Sequence, residues 1–336
     1  MVLEMTYPAL ERAVNPTHDI KLFTGRSHPK LAQEIADYLG TTVGPMVVKN
    51  FADGEIYVQV QESVRGDDVF IIQPVCNPVN ENLMELLIII DAFKRASAKT
   101  ITTVIPYYGY ARQDRKTSGR EAITAKLVAD LLTTAGADRV LAMDLHTGQI
   151  QGFFNILVDH IYATPIITDY IKGLNIPSDD LVAVSPDSGG VQRTRVYAKR
   201  LGCPFAIVDK RRVKHNEAIA THVIGDVENK VCIIFDDLID TAGTITEASK
   251  LLKNKGAKAI YVVATHAVFS GPALERLRTA PIEECIITNT IPWSKEDLPS
   301  NITQLSVAPL LAQAISRIHD GESVSSLFGF EKEMQV

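Results

Sequence analysis

From residue 20 onward, short apolar runs alternate with longer stretches in which apolar residues recur every three or four positions. Runs at 20–23, 69–73, 101–107 and 140–144 have the length and make-up of buried parallel strands. Between them, the spacing at 31–39, 82–96 and 123–132 predicts amphipathic helices. The second half repeats the plan, with strands expected at 181–184, 205–208 and 231–235 and a helical pattern from Ile245. Val69-Phe-Ile-Ile and Val231-Cys-Ile-Ile are comparable strands, and each is followed, after a helix, by an Ala-Lys pair beginning at Ala98 or Ala257. Alternation of this kind predicts an α/β fold. The repeat implies two similar domains, each a mostly parallel sheet flanked by helices, related by approximate two-fold pseudosymmetry. The expected domains are residues 19–163 and 164–320, with the tail at 321–330 joining the first. Residues 1–18, aperiodic and containing Pro8 and Pro16, read as a poorly ordered extension; 331–336 should fray, and 213–220 should form a mobile loop.

The stretch from Val231 to Thr244 carries the densest chemistry. Asp236 and Asp237 stand where the strand at 231–235 should end, and Asp240-Thr-Ala-Gly-Thr244 leads into the next helix. Small and hydroxyl-bearing residues at a helix start leave backbone N–H groups free to surround a phosphate. The two carboxylates are suited to accept from hydroxyls or to hold a cation. A loop that holds phosphate and also grips hydroxyls describes a sugar phosphate; a capped helix with solvated acids is the alternative.

Three further clusters stand out. Phe51, Asp53, Gly54 and Glu55 lie between two expected strands, where Asp-Gly suits a hairpin turn. Phe51 also offers a flat apolar face, and Asp53 or Glu55 can accept from an exocyclic amine, which suits adenine. His146 and Asp187 each follow a strand, at the rim where open α/β sheets bind ligands; in different domains, they would meet only across an interdomain cleft. Asp209-Lys-Arg-Arg212 is solvated surface or a cationic loop for a polyphosphate.

Composition sets the class. A charged fraction of 22% and hydrophobic fraction of 46% suit a soluble globular chain, and the net charge of −6 argues against bulk attraction to nucleic acid. The apolar run at 83–90 is too short to span a membrane, and the four scattered cysteines read as buried thiols in a reducing compartment, so cytoplasm is expected. Neither a Gly-x-x-x-x-Gly-Lys-Ser/Thr nor a Gly-x-Gly-x-x-Gly pattern occurs, which disfavours a P-loop kinase or a Rossmann dehydrogenase.

Phe235-Asp-Asp-Leu-Ile-Asp-Thr-Ala-Gly-Thr244 resembles the phosphoribosyl-diphosphate signature of the type I phosphoribosyltransferase fold. Asn50-Phe-Ala-Asp-Gly-Glu55, Pro106-Tyr-Tyr-Gly-Tyr-Ala-Arg-Gln-Asp114, Asp144-Leu-His146, Val184-Ser-Pro-Asp187 and Asp209-Lys-Arg-Arg212 follow in the order and spacing of the ribose-phosphate diphosphokinase family. The resemblance implies Mg²⁺-dependent transfer of the β,γ-diphosphoryl group of ATP to the anomeric hydroxyl of ribose 5-phosphate, releasing AMP. It implies that the product feeds purine, pyrimidine, NAD, histidine and tryptophan biosynthesis. By the same resemblance Lys210 and Arg212 are catalytic cations, and Phe51, Asp53, Gly54, Glu55, Arg112 and Gln113 bind ATP, the first four lent by a neighbouring subunit. Arg212, Asp236, Asp237, Asp240, Thr241, Ala242, Gly243 and Thr244 bind ribose 5-phosphate, and His146 and Asp187 assist Mg²⁺. A homohexamer is implied, activated by phosphate and inhibited by ADP at a site matched by Arg120, Ser323, Ser325 and Phe328. The chain departs from the family's pattern at Ala52, Thr147-Gly148 and Ser188. A phosphoribosyltransferase would not need the Phe51 and Lys210 blocks, a silent partner would lack His146, Asp187, Lys210 or Arg212, and a regulator would need an added DNA-reading domain.

Overall fold

The computed structural model describes residues 20–212 and 219–328, with the side chains of 210–221 left aside. The extension at 1–18, the fraying end at 331–336 and most of the loop expected at 213–220 lie outside the described residues. The described residues form two compact units, one of those up to 162 together with those from 306 on, the other of those between 163 and 305.

In unit 1, β1 (Lys21–Thr24), β4 (Asp68–Ile72), β5 (Thr100–Ile105), β6 (Arg139–Met143) and β7 (Leu157–Ile161) form a parallel sheet in that order. A separate antiparallel hairpin joins β2 (Met46–Asn50) to β3 (Ile56–Val60). The first helix, α1 (Pro29–Leu39), shows why the segments fold as they do. Pro29 pre-sets the first turn, the His28 ring accepts from the Leu31 N–H at 3.3 Å, and Gly40 ends the helix at φ +65°. Leu31, Ile35 and Leu39 fall on one buried face. The next helices are α2 (Val79–Arg95) and α3 (Thr124–Ala135), and the core includes Phe23, Ile71, Leu86, Phe93 and Ile105.

Unit 2 holds α4 (Thr164–Gly173), β8 (Leu181–Ser185), α5 (Val191–Leu201), β9 (Phe205–Arg212) and β10 (Ile219–Ile224). It continues with β11 (Val231–Ile239), α6 (Gly243–Asn254), β12 (Ala259–Ala267), α7 (Ala273–Thr279), β13 (Glu284–Thr288) and β14 (Ile302–Leu305). The sheet order is β10-β9-β8-β11-β12-β13-β14, parallel except for the antiparallel β9–β10 pair.

Three expectations need correcting. The strand at 231–235 continues four residues further, because β12 keeps pairing with it after β8 has stopped at Val184↔Ile234. Likewise β9 runs past Val208 to Arg212, and Ile219 and Ala220 open β10 rather than lying in a loop. Residues 306–320, expected in the second domain, belong to unit 1: α8 (Ala308–His319) packs on α1, and Ser306 Oγ donates to Glu34 Oε2 at 2.6 Å.

Candidate active site

The acids expected after a strand instead stand within it. Asp236 pairs in register with Ala264 and Leu238 with His266, so β11 carries both carboxylates beyond the last contact with β8. Asp237 is 3% exposed and Asp236 is half-buried. Arg193, projecting from α5, reaches both: its Nη1 lies 3.1 Å from Asp237 Oδ1 and 3.4 Å from Asp236 Oδ1. Burial and the adjoining Asp237 carboxylate push Asp236 well above the usual carboxylate range, and Arg193 pulls it back. Nothing in the sequence marks Arg193, which sits in an ordinary helical pattern 43 positions before Asp236.

The turn that follows is held from below. The Phe269 and Ser270 N–H groups donate to Ile239 O and Asp240 O at 3.0 and 2.9 Å, and Arg276 Nη1 donates to Thr241 O at 2.9 Å. Ala242 then adopts φ +58°, which swings the backbone into α6. That helix has no side-chain cap, and its first intrahelical bond at this end, Thr246 N–H to Ala242 O, is 3.0 Å. The N–H groups of Gly243, Thr244 and Ile245 therefore have no intrahelical acceptor. They border a hollow of about 160 Å³ that Asp236, Asp240, Thr241 and Thr244 also line. All the sugar-phosphate residues named from sequence in β11 and the turn after it come together here, except that Asp237 is turned to Arg193 and does not line the hollow.

The other clusters occupy their own places. Residues 51–55 close the β2–β3 hairpin: the Phe51 N–H donates to Glu55 O at 2.8 Å, and Asp53 Oδ1 accepts the Glu55 N–H at 3.1 Å. Gly54 takes φ +96°, and the Phe51 ring, 51% exposed, meets Tyr57 edge-on at 5.6 Å. A hairpin and an exposed flat ring thus coexist. Arg112 and Gln113 are exposed on a turn of unit 1, with the Gln113 N–H on Tyr110 O. His146, half-buried, belongs to unit 1, and Asp187, exposed, to unit 2. Asp187 Oδ1 accepts from the Gly189 and Gly190 N–H groups at 2.8 and 3.0 Å, which shapes the entry to α5. Lys210 and Arg212 fall on β9, opposite Thr221 and Ile219.

The residues matched to a regulatory site are dispersed in character. Arg120 is exposed at φ +66°, beside Glu121, whose carboxylate is pulled down to about 2 by hydrogen bonds from Ser118 and Thr117. Ser323 and Ser325 share a 2.9 Å hydrogen bond in an exposed turn. Phe328 differs from them: it is 3% exposed and packs edge-on against Tyr162, a core role rather than a displayed ring.

Two α/β units, one carrying an acidic strand that runs into an uncapped helix start, define the class of protein. A family model for the N-terminal domain of ribose phosphate pyrophosphokinase matches residues 20–136, and one for the phosphoribosyl synthetase-associated domain matches residues 208–329. The chain is 58% identical over 321 residues to the chloroplastic ribose-phosphate pyrophosphokinase 1 of Arabidopsis thaliana, covering 95% of this chain and 80% of the relative. It is 56% identical to the ribose-phosphate pyrophosphokinase of Synechocystis, covering 97% and 98%. A crystal structure of phosphoribosylpyrophosphate synthetase from Mycobacterium smegmatis superposes with a TM-score of 0.86 at 48% identity, covering 90% of this chain and all of that one. The chain belongs to the ribose-phosphate pyrophosphokinase family of enzymes. Among the described residues, no helix is long and apolar enough to cross a membrane.

Proposed function

We propose that the enzyme transfers the β,γ-diphosphoryl group of ATP to the anomeric hydroxyl of ribose 5-phosphate, giving 5-phosphoribosyl 1-diphosphate and AMP. The observation that carries this reading is the uncapped start of α6, open on a hollow whose other walls are carboxylates and hydroxyls. The 5-phosphate takes the N–H groups of residues 243–245 and the positive end of the helix. Asp236 accepts from the ribose hydroxyls, and Arg193, held by Asp237, offsets the repulsion between the two carboxylates. Phe51 stacks on adenine, Asp53 or Glu55 takes its amine, and Arg112 and Gln113 complete the nucleotide site.

In the reaction, the anomeric oxygen attacks the β-phosphorus and loses its proton to solvent. The new O–P bond forms as the bond from the β-phosphorus to the α,β-bridging oxygen breaks, and AMP leaves with that electron pair. Lys210 and Arg212 neutralise the charge that develops there. Positioning and charge stabilisation account for such a transfer without a covalent intermediate on the protein.

Among the described residues, no three His, Cys, Asp or Glu side chains converge as a metal cage. A hard ion bound mainly through substrate phosphates and water needs only one or two protein groups; Asp187 would offer the carboxylate oxygen such an ion prefers, while His146, a nitrogen donor, is named for it by the family resemblance alone. Mg²⁺ held there would supply charge neutralisation on the diphosphate. A homohexameric assembly, activation by phosphate and inhibition by ADP belong to the same proposal.

The sugar-phosphate half is tested by calorimetric titration of ribose 5-phosphate. Gly243→Asp places a carboxylate at the helix start and is expected to weaken binding by roughly 100-fold or more, while a non-hydrolysable ATP analogue still binds. Unchanged ribose 5-phosphate affinity would remove the hollow from the site.

A further inference from the structure

Asp114 is 8% exposed and lies two residues beyond Arg112. Its Oδ2 accepts two hydrogen bonds from the turn after β6, one from Thr147 Oγ1 at 2.8 Å and one from Gln149 Nε2 at 3.3 Å. On the other side of His146, the Leu145 N–H donates to His160 Nε2 at 2.9 Å. His160 stands on β7, opposite Ala142 of β6. The other ring nitrogen, Nδ1, lies 3.3 Å from Gln151 Nε2. His146 is therefore held through both of its chain neighbours by side chains from two other elements. The turn needs such support, since Asp144 adopts φ +39°, a conformation costly for a residue with a side chain.

We propose that Asp114 and His160 are positioning residues, which fix His146 through the hydroxyl of Thr147 and the amide of Leu145 and so couple it to the Arg112–Gln113 segment. Each acts through another residue. Asp114 does the coupling: it follows the nucleotide-binding pair directly in the chain and holds the metal-binding turn by a side chain. The Thr147 hydroxyl is what makes that link. The inference rests on the role proposed above for His146.

The test measures binding of Mn²⁺ by electron paramagnetic resonance, on the full-length protein with a non-hydrolysable ATP analogue present, alongside ribose 5-phosphate affinity and thermal midpoint. Thr147→Val, which keeps the shape and removes the donor, is expected to weaken Mn²⁺ binding about 10- to 100-fold, the range seen when an outer partner of a metal ligand is lost. Ribose 5-phosphate affinity should stay put, and Thr147→Ser should restore Mn²⁺ binding. His160→Phe should act in the same direction and His160→Gln, which retains an acceptor, more mildly; this pair carries the test if Thr147→Val does not fold. Wild-type Mn²⁺ affinity in Thr147→Val and His160→Phe would overturn the proposal, as would a loss matched by an equal fall in ribose 5-phosphate affinity. His146→Ala in the same series separates the failures: if it too binds Mn²⁺ normally, the assignment of His146 itself is wrong.

Discussion

Arg193 shows how much of the site depends on one side chain. It faces two adjacent carboxylates on a strand, and Asp236, its pKa raised by burial and by Asp237, contributes stability that is complete below the ordinary aspartate value and lost as pH rises through its own elevated one. Arg193→Gln should therefore lower the thermal midpoint more at about pH 8 than at about pH 4, and should raise KM for ribose 5-phosphate. An equal loss at both pH values would show that Arg193 acts by packing alone. Ala242 is a second case. Its φ of +58° carries a penalty of about 1–2 kcal/mol for a side-chain-bearing residue, so Ala242→Gly should stabilise the protein by about 1 kcal/mol in urea unfolding. At this scale the sequence displayed the loop residues because they are contiguous, from Asp236 to Thr244. It concealed Arg193 and the Asp114–Thr147 bond, whose partners lie 43 and 33 positions apart and meet only through folding.

The strands buried on both faces were legible as continuous apolar runs, and the helices between them by their three- and four-residue spacing. The misread boundaries share a cause. In β11 two carboxylates interrupt the apolar run, and in β9 a basic run does, yet ladder pairing to β12 and β10 carries the backbone onward. The edge strand β7 (Leu157–Ile161) escaped notice because, paired only with β6, it stays half-buried through Val158, Asp159 and His160 and lacks a continuous apolar run. Among the loops, the turn at 117–121 depends on one carboxylate: Glu121 accepts from the Thr117 N–H at 2.7 Å and the Ser118 N–H at 3.0 Å. With its carboxyl depressed to about 2, this anchorage is complete above the ordinary glutamate value and lost as pH falls through about 2. Glu121→Gln should speed hydrogen exchange at the Thr117 and Ser118 amides near neutral pH; unchanged exchange would show the turn held by something else.

Over the whole molecule, the two-unit plan was visible in the repeat, but the return of the chain to unit 1 after residue 305 was not. Periodicity shows that α8 has an apolar face; it does not say which unit that face covers. Leu311 is fully buried, so Leu311→Ala should cost about 2–5 kcal/mol and speed exchange in α1 while β11 stays protected. Faster exchange in β11 instead would place α8 with unit 2. The proposed chemistry also belongs to this scale, because it draws on the hairpin loop, β9 and the turn before α6. Replacing Lys210 should cost roughly 100- to 1,000-fold in kcat, the range seen when one charge-stabilising donor is removed. The most direct test follows ³¹P resonances in a mixture of the enzyme, ATP, ribose 5-phosphate, Mg²⁺ and phosphate. AMP and 5-phosphoribosyl 1-diphosphate should appear in equal amounts, and both should vanish in Lys210→Ala. ADP with a singly phosphorylated new position on the sugar would mean attack at the γ-phosphorus and would contradict diphosphoryl transfer.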